Sequence, residues 1–436
     1  MLNGILLVVA LAIELFITYS IEKNIISPDF IFNAVFLLAS LNLLTNINSY
    51  QVQLSFDACL IIVAGVACFW LGTILVKKVR FSTNFHLKFT TNSKMTQEDV
   101  NIPNGVLIAF VIFNIITTIY VARQVVVLTR QFGFTGTNLN AIGRYRELGL
   151  AYGTRMQLGT IPTLLTALAE ANGYVFGCIL ANDFANGNHR TNRNSLWIIL
   201  AFLSSFISTF SQGSRGGIYM ILTSVFLYLI NLYYTGRLVI NFKSIIRTIL
   251  LIALILVAFQ YSAILFNKVW KVSFYEYLSV YLGDPIINLN TYVNEKMPRA
   301  PLWGYFSFKP IIVNISGKIG ADYPSFSLGG FRFLNGHNLG NVYTIFSYLI
   351  ADFGLIGSFV YLLFIGIISQ IFNNNLIGRE NDVIVSKIIY GYMLTSIVFS
   401  FFSNKVGENL SFYHMYVWLF EYFYIKMFKL RWKKIG

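Results

Sequence analysis

The 436-residue chain is 56% hydrophobic and only 11% charged, with a net charge of +14 and a mean hydropathy of +0.64. A soluble domain carries about 25% charged residues, so this composition excludes a water-soluble fold and makes the bilayer the solvent. Three cysteines (Cys59, Cys68 and Cys178), all inside apolar runs, exclude a loop disulfide framework, and four scattered histidines argue against a dedicated metal site.

A membrane-spanning helix needs about 20 mostly apolar residues. Runs of that kind predict spans near 2–21, 30–47, 57–76, 104–124, 158–181, 195–211, 216–234, 245–265, 341–372, 384–402 and 410–428. The reading is an all-α, polytopic membrane bundle of about eleven helices, a single integral domain over 1–436. Two large external loops fall at 125–157 and 266–340. The first run has no basic residue before it, so it reads as a retained span rather than a signal peptide. The run at 341–372 is long and interrupted by Asp352, Gly354 and Gly357, which predicts a tilt or a break.

Basic residues in short loops set orientation. Lys77, Lys78, Arg80, Lys88 and Lys94 occupy one connection. Arg190 and Arg193, then Arg237, Lys243 and Arg247, then Arg379 and Lys387 occupy alternate later ones, and Lys426, Lys429, Arg431, Lys433 and Lys434 the tail. All fall on one side, which places the C-terminus in the cytoplasm and the N-terminus outside. This set accounts for much of the positive charge, which excludes nucleic acid as its explanation. The long external loops are exempt from that bias, so their basic residues need another reason.

The first external loop contains Arg144-Tyr145-Arg146-Glu147. Two arginines offer permanently charged, fork-shaped recognition of phosphate oxygens, and the alternative is a solvated helix with an Arg–Glu pair. Between two later spans lies Ser211-Gln212-Gly213-Ser214-Arg215-Gly216-Gly217. Its glycines let backbone approach a ligand closely, and Arg215 stands where a helix N-terminus already favours an anion; a tight turn with a snorkelling arginine is the plainer reading. Asn267–Asp284, with Trp270, Phe274, Tyr275, Tyr277 and Tyr281, predicts an amphipathic helix on the membrane surface.

The second loop carries seven Lys/Arg and ends Gly329-Gly-Phe-Arg332-Phe-Leu-Asn-Gly-His337-Asn338. Asp352 then lies inside an apolar run, where an ionisable residue is a functional candidate. It can be a base, a partner for an arginine or a hydrogen-bond acceptor for the loop. His337 can take a proton from a hydroxyl near neutral pH, or be a loop histidine bonded to backbone. Glu14, Glu170 and Glu421 also fall in apolar runs and pair more simply with neighbouring helices. Glu408 reads as a second carboxylate or a cap, and Trp303, Tyr305 and Tyr323 as residues that can stack on sugar rings.

Gly213-Ser-Arg-Gly-Gly217 opening a span, followed later by Asn341-Val-Tyr-Thr344 and Asp352-Phe-Gly354-Leu-Ile-Gly357, resembles the O-antigen polymerase (Wzy) family. The segment around Arg144, Arg146 and Glu147 is similar to that family's first large loop, although its Arg-x10-Gly pattern is not found at Arg144, Arg146 or Arg332. The resemblance implies a GT-C-like bundle in the bacterial inner membrane with an active site facing the exterior. It implies transfer of a growing glycan from undecaprenyl diphosphate onto a new lipid-linked repeat unit; the sequence has no carboxylate pair with metal spacing, so arginine is expected in place of a divalent ion, with no cofactor. Its implied partners are lipid-linked oligosaccharides and membrane lipid, with a chain-length regulator protein left open. Arg215, with Arg144, Arg146 or Arg332, is then the expected diphosphate clamp. Tyr145, Gln212, Ser214 and Asn338 are the expected polar contacts, His337 the base, and Asp352 a second catalytic candidate that orients Arg332 or loop backbone. An O-antigen ligase and a lipid-linked glycan transporter are the alternatives.

Overall fold

The computed structural model describes residues 1–77, 95–97, 102–152, 156–186, 192–213, 216–234, 273–295, 299–319, 326–376, 384–428 and 432–434. In chain order these form α1 (Leu2–Glu22), α2 (Pro28–Asn46), α3 (Phe56–Val76), β1 (Met95–Gln97), α4 (Asn104–Gln131), α5 (Asn138–Tyr152), α6 (Thr160–Asn186), α7 (Asn192–Phe210) and α8 (Gly216–Tyr234). They continue with α9 (Phe274–Leu282), α10 (Asp284–Asn294), α11 (Lys309–Ile319), β2 (Arg332–Leu334), β3 (His337–Gly340), α12 (Ile345–Leu376), α13 (Ile384–Val398), α14 (Lys405–Asn409), α15 (Phe412–Met427) and β4 (Trp432–Lys434).

The chain is a helical transmembrane protein. Six described helices are long and apolar enough to cross a membrane: Leu2–Ile21, Pro28–Asn46, Phe56–Val76, Asn104–Gln131, Thr160–Phe184 and Ile345–Asn374. The segments expected at 195–211, 216–234 and 384–402 contain shorter apolar helices, and 410–428 holds the 16-residue α15. The span expected at 245–265 lies outside the described residues. The two segments expected as external loops are not featureless: 125–157 holds the end of α4 and all of α5, and the described part of 266–340 holds α9 to α11 and a β-hairpin.

Local chemistry explains several boundaries. Ser55 Oγ accepts from the Ala58 N–H at the start of α3, and Ser411 Oγ accepts from His414 N–H at the start of α15; each such cap contributes about 1 kcal/mol. α2 opens with proline at its first position, where no N–H is needed. α12 is broken at Gly354 (φ 70°, ψ −179°), a conformation open to glycine and closed to residues with a Cβ.

The described elements form two compact units. The first holds α1–α3, α9–α12, β2, β3, the end of α13 and α14. Its core stacks Phe32 on Phe69, with ring centres 4.3 Å apart, and sets Phe36 against Phe346 at 4.9 Å. α3 and α12 touch main chain to main chain. A Cβ on Gly72 would lie 2.2 Å from the Leu363 carbonyl oxygen, and one on Gly366 would lie 2.2 Å from that of Phe69. Close approach through small residues is how helices associate where lipid removes the hydrophobic incentive.

The second unit holds α4–α8, the start of α13, α15 and the antiparallel pair β1–β4. Here buried amides join the helices. Asn114 on α4 donates to Ser204 Oγ at 2.8 Å and accepts from Asn172 Nδ2 at 3.0 Å, while Asn182 donates to Tyr228 Oη at 2.8 Å. Glu170 accepts from the Tyr413 hydroxyl, which joins α6 to α15.

Candidate functional site

The hairpin in the first unit turns on Asn335 (φ 48°) and Gly336 (φ 83°). Positive φ at both central residues is the twist-matched solution for a two-residue hairpin. Leu334 pairs with His337, and Phe333 with Asn338. Alternation along the strands puts Arg332, Leu334 and His337 on one face and Phe333 and Asn338 on the other. Phe333 is 67% exposed, whereas the Arg332 side chain retains only 17%. The turn is fastened to the loop between α2 and α3, where Asn335 Nδ2 donates to the Tyr50 carbonyl at 2.8 Å.

His337 lies between an aromatic ring and a carboxylate. Its imidazole stacks on Tyr50, with centres 4.2 Å apart and planes 28° apart. Its Nδ1 faces Glu276 Oε1 at 4.0 Å. Glu276 is itself fixed by the start of α9. The Ser273 N–H donates to Glu276 Oε2 at 3.0 Å, and the Glu276 N–H donates back to Ser273 Oγ at 3.2 Å. This reciprocal capping box holds one carboxylate oxygen and leaves the other facing the imidazole. At 4.0 Å the carboxylate is an electrostatic neighbour of the imidazole rather than its hydrogen-bond partner.

Burial, followed by the nearby carboxylates of Asp284 and Glu276, pushes the Tyr50 hydroxyl far up, so it stays neutral. Burial raises the Asp284 carboxyl to about 7. Arg332 Nη2 lies 3.6 Å from Glu295 Oε2, and the guanidinium sits over the Tyr343 ring at 5.9 Å. Asn338 Oδ1 accepts from the Gly340 N–H at 2.8 Å, a local turn within β3.

Among the described residues, Asp352 serves the loop backbone. Its carboxylate accepts from the Phe306 N–H at 2.9 Å and the Ser307 N–H at 2.7 Å, and it is 6% exposed. Hydrogen bonds to a charged group contribute about 1.5–3 kcal/mol each, so this carboxylate is a strong clamp on residues 305–307. The neighbouring Ala351 carbonyl accepts from Ala300 N–H at 3.0 Å. Arg299 follows the same path, and its Nη2 lies 3.5 Å from where a Cβ on Gly354 would stand. Glu408 bonds Ser403 and Lys405 side chains within α14 and its approach. Tyr305 is buried and exchanges hydrogen bonds with Phe326, so it offers no platform for a sugar. Trp303 is exposed, and Tyr323 lies outside the described residues.

In the second unit, two motifs separated in sequence come together. Gly213 (φ 67°) presses the Ser211–Gly213 turn onto α5, where a Cβ on it would lie 2.2 Å from the Ile142 carbonyl oxygen. This puts half-buried Gln212 beside the helix turn that carries exposed Arg144. Tyr145 donates its hydroxyl to the Met156 carbonyl at 2.8 Å, and burial pushes its pKa to about 12; it therefore pins the loop rather than meeting a ligand as an anion. The side chains of Arg146 and Glu147, and residues Ser214 and Arg215, lie outside what is described.

Sequence reasoning missed Glu276, Tyr50 and Glu295. Ser273-x-x-Glu276 was legible as a capping box, but nothing in the sequence says that its spare oxygen meets His337. No protein-family model, curated protein or solved structure matches this chain.

Proposed function

We propose that this chain is a membrane-embedded glycosyltransferase that polymerises lipid-linked oligosaccharide repeat units on the outer face of the inner membrane. The observation that carries the reading is the Glu276–His337–Tyr50 arrangement in the polar loop that precedes α12. An imidazole stacked on an aromatic ring and facing a carboxylate is equipped to remove the proton from an attacking sugar hydroxyl. The bond that breaks joins the anomeric carbon to a lipid diphosphate, a good leaving group once its developing charge is stabilised. We assign that charge to arginines, namely Arg215 with Arg144, Arg146 or Arg332. We assign Asp352 to shaping the 305–307 turn and the base to His337.

The test is a gel of lipid-linked products from purified protein and its undecaprenyl-diphosphate repeat unit, with no other acceptor. A ladder of increasing length is expected. His337→Ala should lower turnover by about 10²–10⁴, the usual contribution of a general base. Glu276→Gln should lower it less, and the double variant no further than His337→Ala. Full ladders from His337→Ala would remove the base, and full chain length from Arg215→Ala would remove the clamp. Transfer only after adding lipid A core would make the enzyme a ligase, and no transfer under either condition would end the glycosyltransferase reading.

A further inference from the structure

Asp284 opens α10 and is fully buried, yet neither of its carboxylate oxygens has a hydrogen-bond partner. Among the described residues, none of the ion pairs includes it. Its neighbours present more acceptors. Asn288, one turn later on the same face of α10, donates its amide to the Leu339 and Val342 carbonyls at 3.3 and 2.8 Å. That commits its nitrogen and leaves Oδ1 buried without a partner. Asn42 on α2 donates to Ser279 Oγ at 3.1 Å and to Tyr275 Oη at 3.3 Å. Ser279 spends its own proton on the Tyr275 carbonyl, so it must accept from Asn42. The Asn42 Oδ1 is therefore also orphaned. It lies 2.6 Å from where a Cβ would stand on Gly283, the residue immediately before Asp284.

Unsatisfied buried acceptors are costly, and a buried carboxylate costs more unless a cation meets it. The set supplies hard oxygen donors and one negative charge, which matches a small monovalent cation. A single carboxylate balances one positive charge, so a divalent ion here would leave a net charge buried. An anion is excluded by the charge, and the full burial of Asp284 and Asn288 excludes a sugar. The missing side chain at Gly283 lets α10 approach α2 closely, which favours the smaller of the common cations.

We propose that Asp284, Asn42 and Asn288 form a sodium-binding site that ties α10 to α2. The inference is independent of the proposed glycosyl transfer. The test measures thermal unfolding midpoints of the purified protein above about pH 8, where the carboxylate is ionised, in sodium chloride and in choline chloride at equal ionic strength. Sodium should raise the wild-type midpoint saturably where choline does not. Asp284→Asn should abolish that difference, and Asn42→Ser should raise the half-saturating sodium concentration about tenfold. Equal wild-type midpoints in the two salts would overturn the site and leave Asp284 a protonated acid only. A sodium effect that survives Asp284→Asn, or a half-saturation untouched by Asn42→Ser, would also overturn it.

Discussion

At the scale of single residues, Asp284 shows how completely surroundings set chemistry. Its carboxyl rises from an ordinary 3.8 to about 7 through burial alone. The folded chain therefore binds this proton more tightly than the unfolded chain. The stabilisation is fully present below about pH 4 and is lost as pH rises through about 7. Three pKa units correspond to about 4 kcal/mol before any relaxation. In sodium-free buffer the unfolding midpoint should fall between about pH 4 and pH 7, and Asp284→Asn should flatten that fall. A wild-type profile already flat over this interval would show that the carboxyl is not perturbed. None of this was legible in the sequence, where Asp284 is one acid among several in a polar loop. His337 was legible by type and place. Its partners were not, because Tyr50 and Glu276 reach it only through the docking of the hairpin on the α2–α3 loop. Asp352 was legible as a charge within a span, with loop backbone among its named uses; only the structure shows both Phe306 and Ser307 N–H groups directed at it.

At the scale of elements, apolar run length reveals the long spans because the bilayer enforces it. The break in α12 was also legible, since Asp352, Gly354 and Gly357 interrupt an otherwise continuous run. The reciprocal contact of α3 with α12 was not, because a glycine in a span says nothing about which helix approaches it. Gly72→Ala and Gly366→Ala should each destabilise the protein by about 1–3 kcal/mol or more, since the added methyl meets backbone that no side-chain rotation can clear. Gly105→Ala, whose Cβ would meet nothing within 4 Å, should leave the unfolding midpoint unchanged. Equal behaviour of all three variants in a detergent thermal-shift assay would show that α3 and α12 are not in close contact.

At the scale of the whole molecule, the basic residues of the short connections predict that the polar segment between α8 and α12 lies outside the cell. Trp303 is 76% exposed, while the native Cys59 and Cys178 are buried. A Trp303→Cys variant should react with a membrane-impermeant maleimide in intact cells. Reaction only after permeabilisation would invert the topology and with it the proposed side of the reaction. Positive charge was readable at this scale because it is a property of composition and segment order rather than of contact. The two-unit organisation was not, since each unit gathers distant parts of the chain.

The hairpin's two-residue turn has a bearing on how this segment can change over time. Leu339 is the extra residue of a bulge beside Arg332, and between that bulge and the turn side chains alternate, so there parity as well as length is constrained. An odd insertion that shifted the pairing by one place would turn Phe333 inward and carry Arg332 away from Glu295 and Tyr343, although every residue survived. Lineages of this chain should therefore tolerate substitutions at the outward Phe333 more readily than any single-residue insertion between Leu334 and His337.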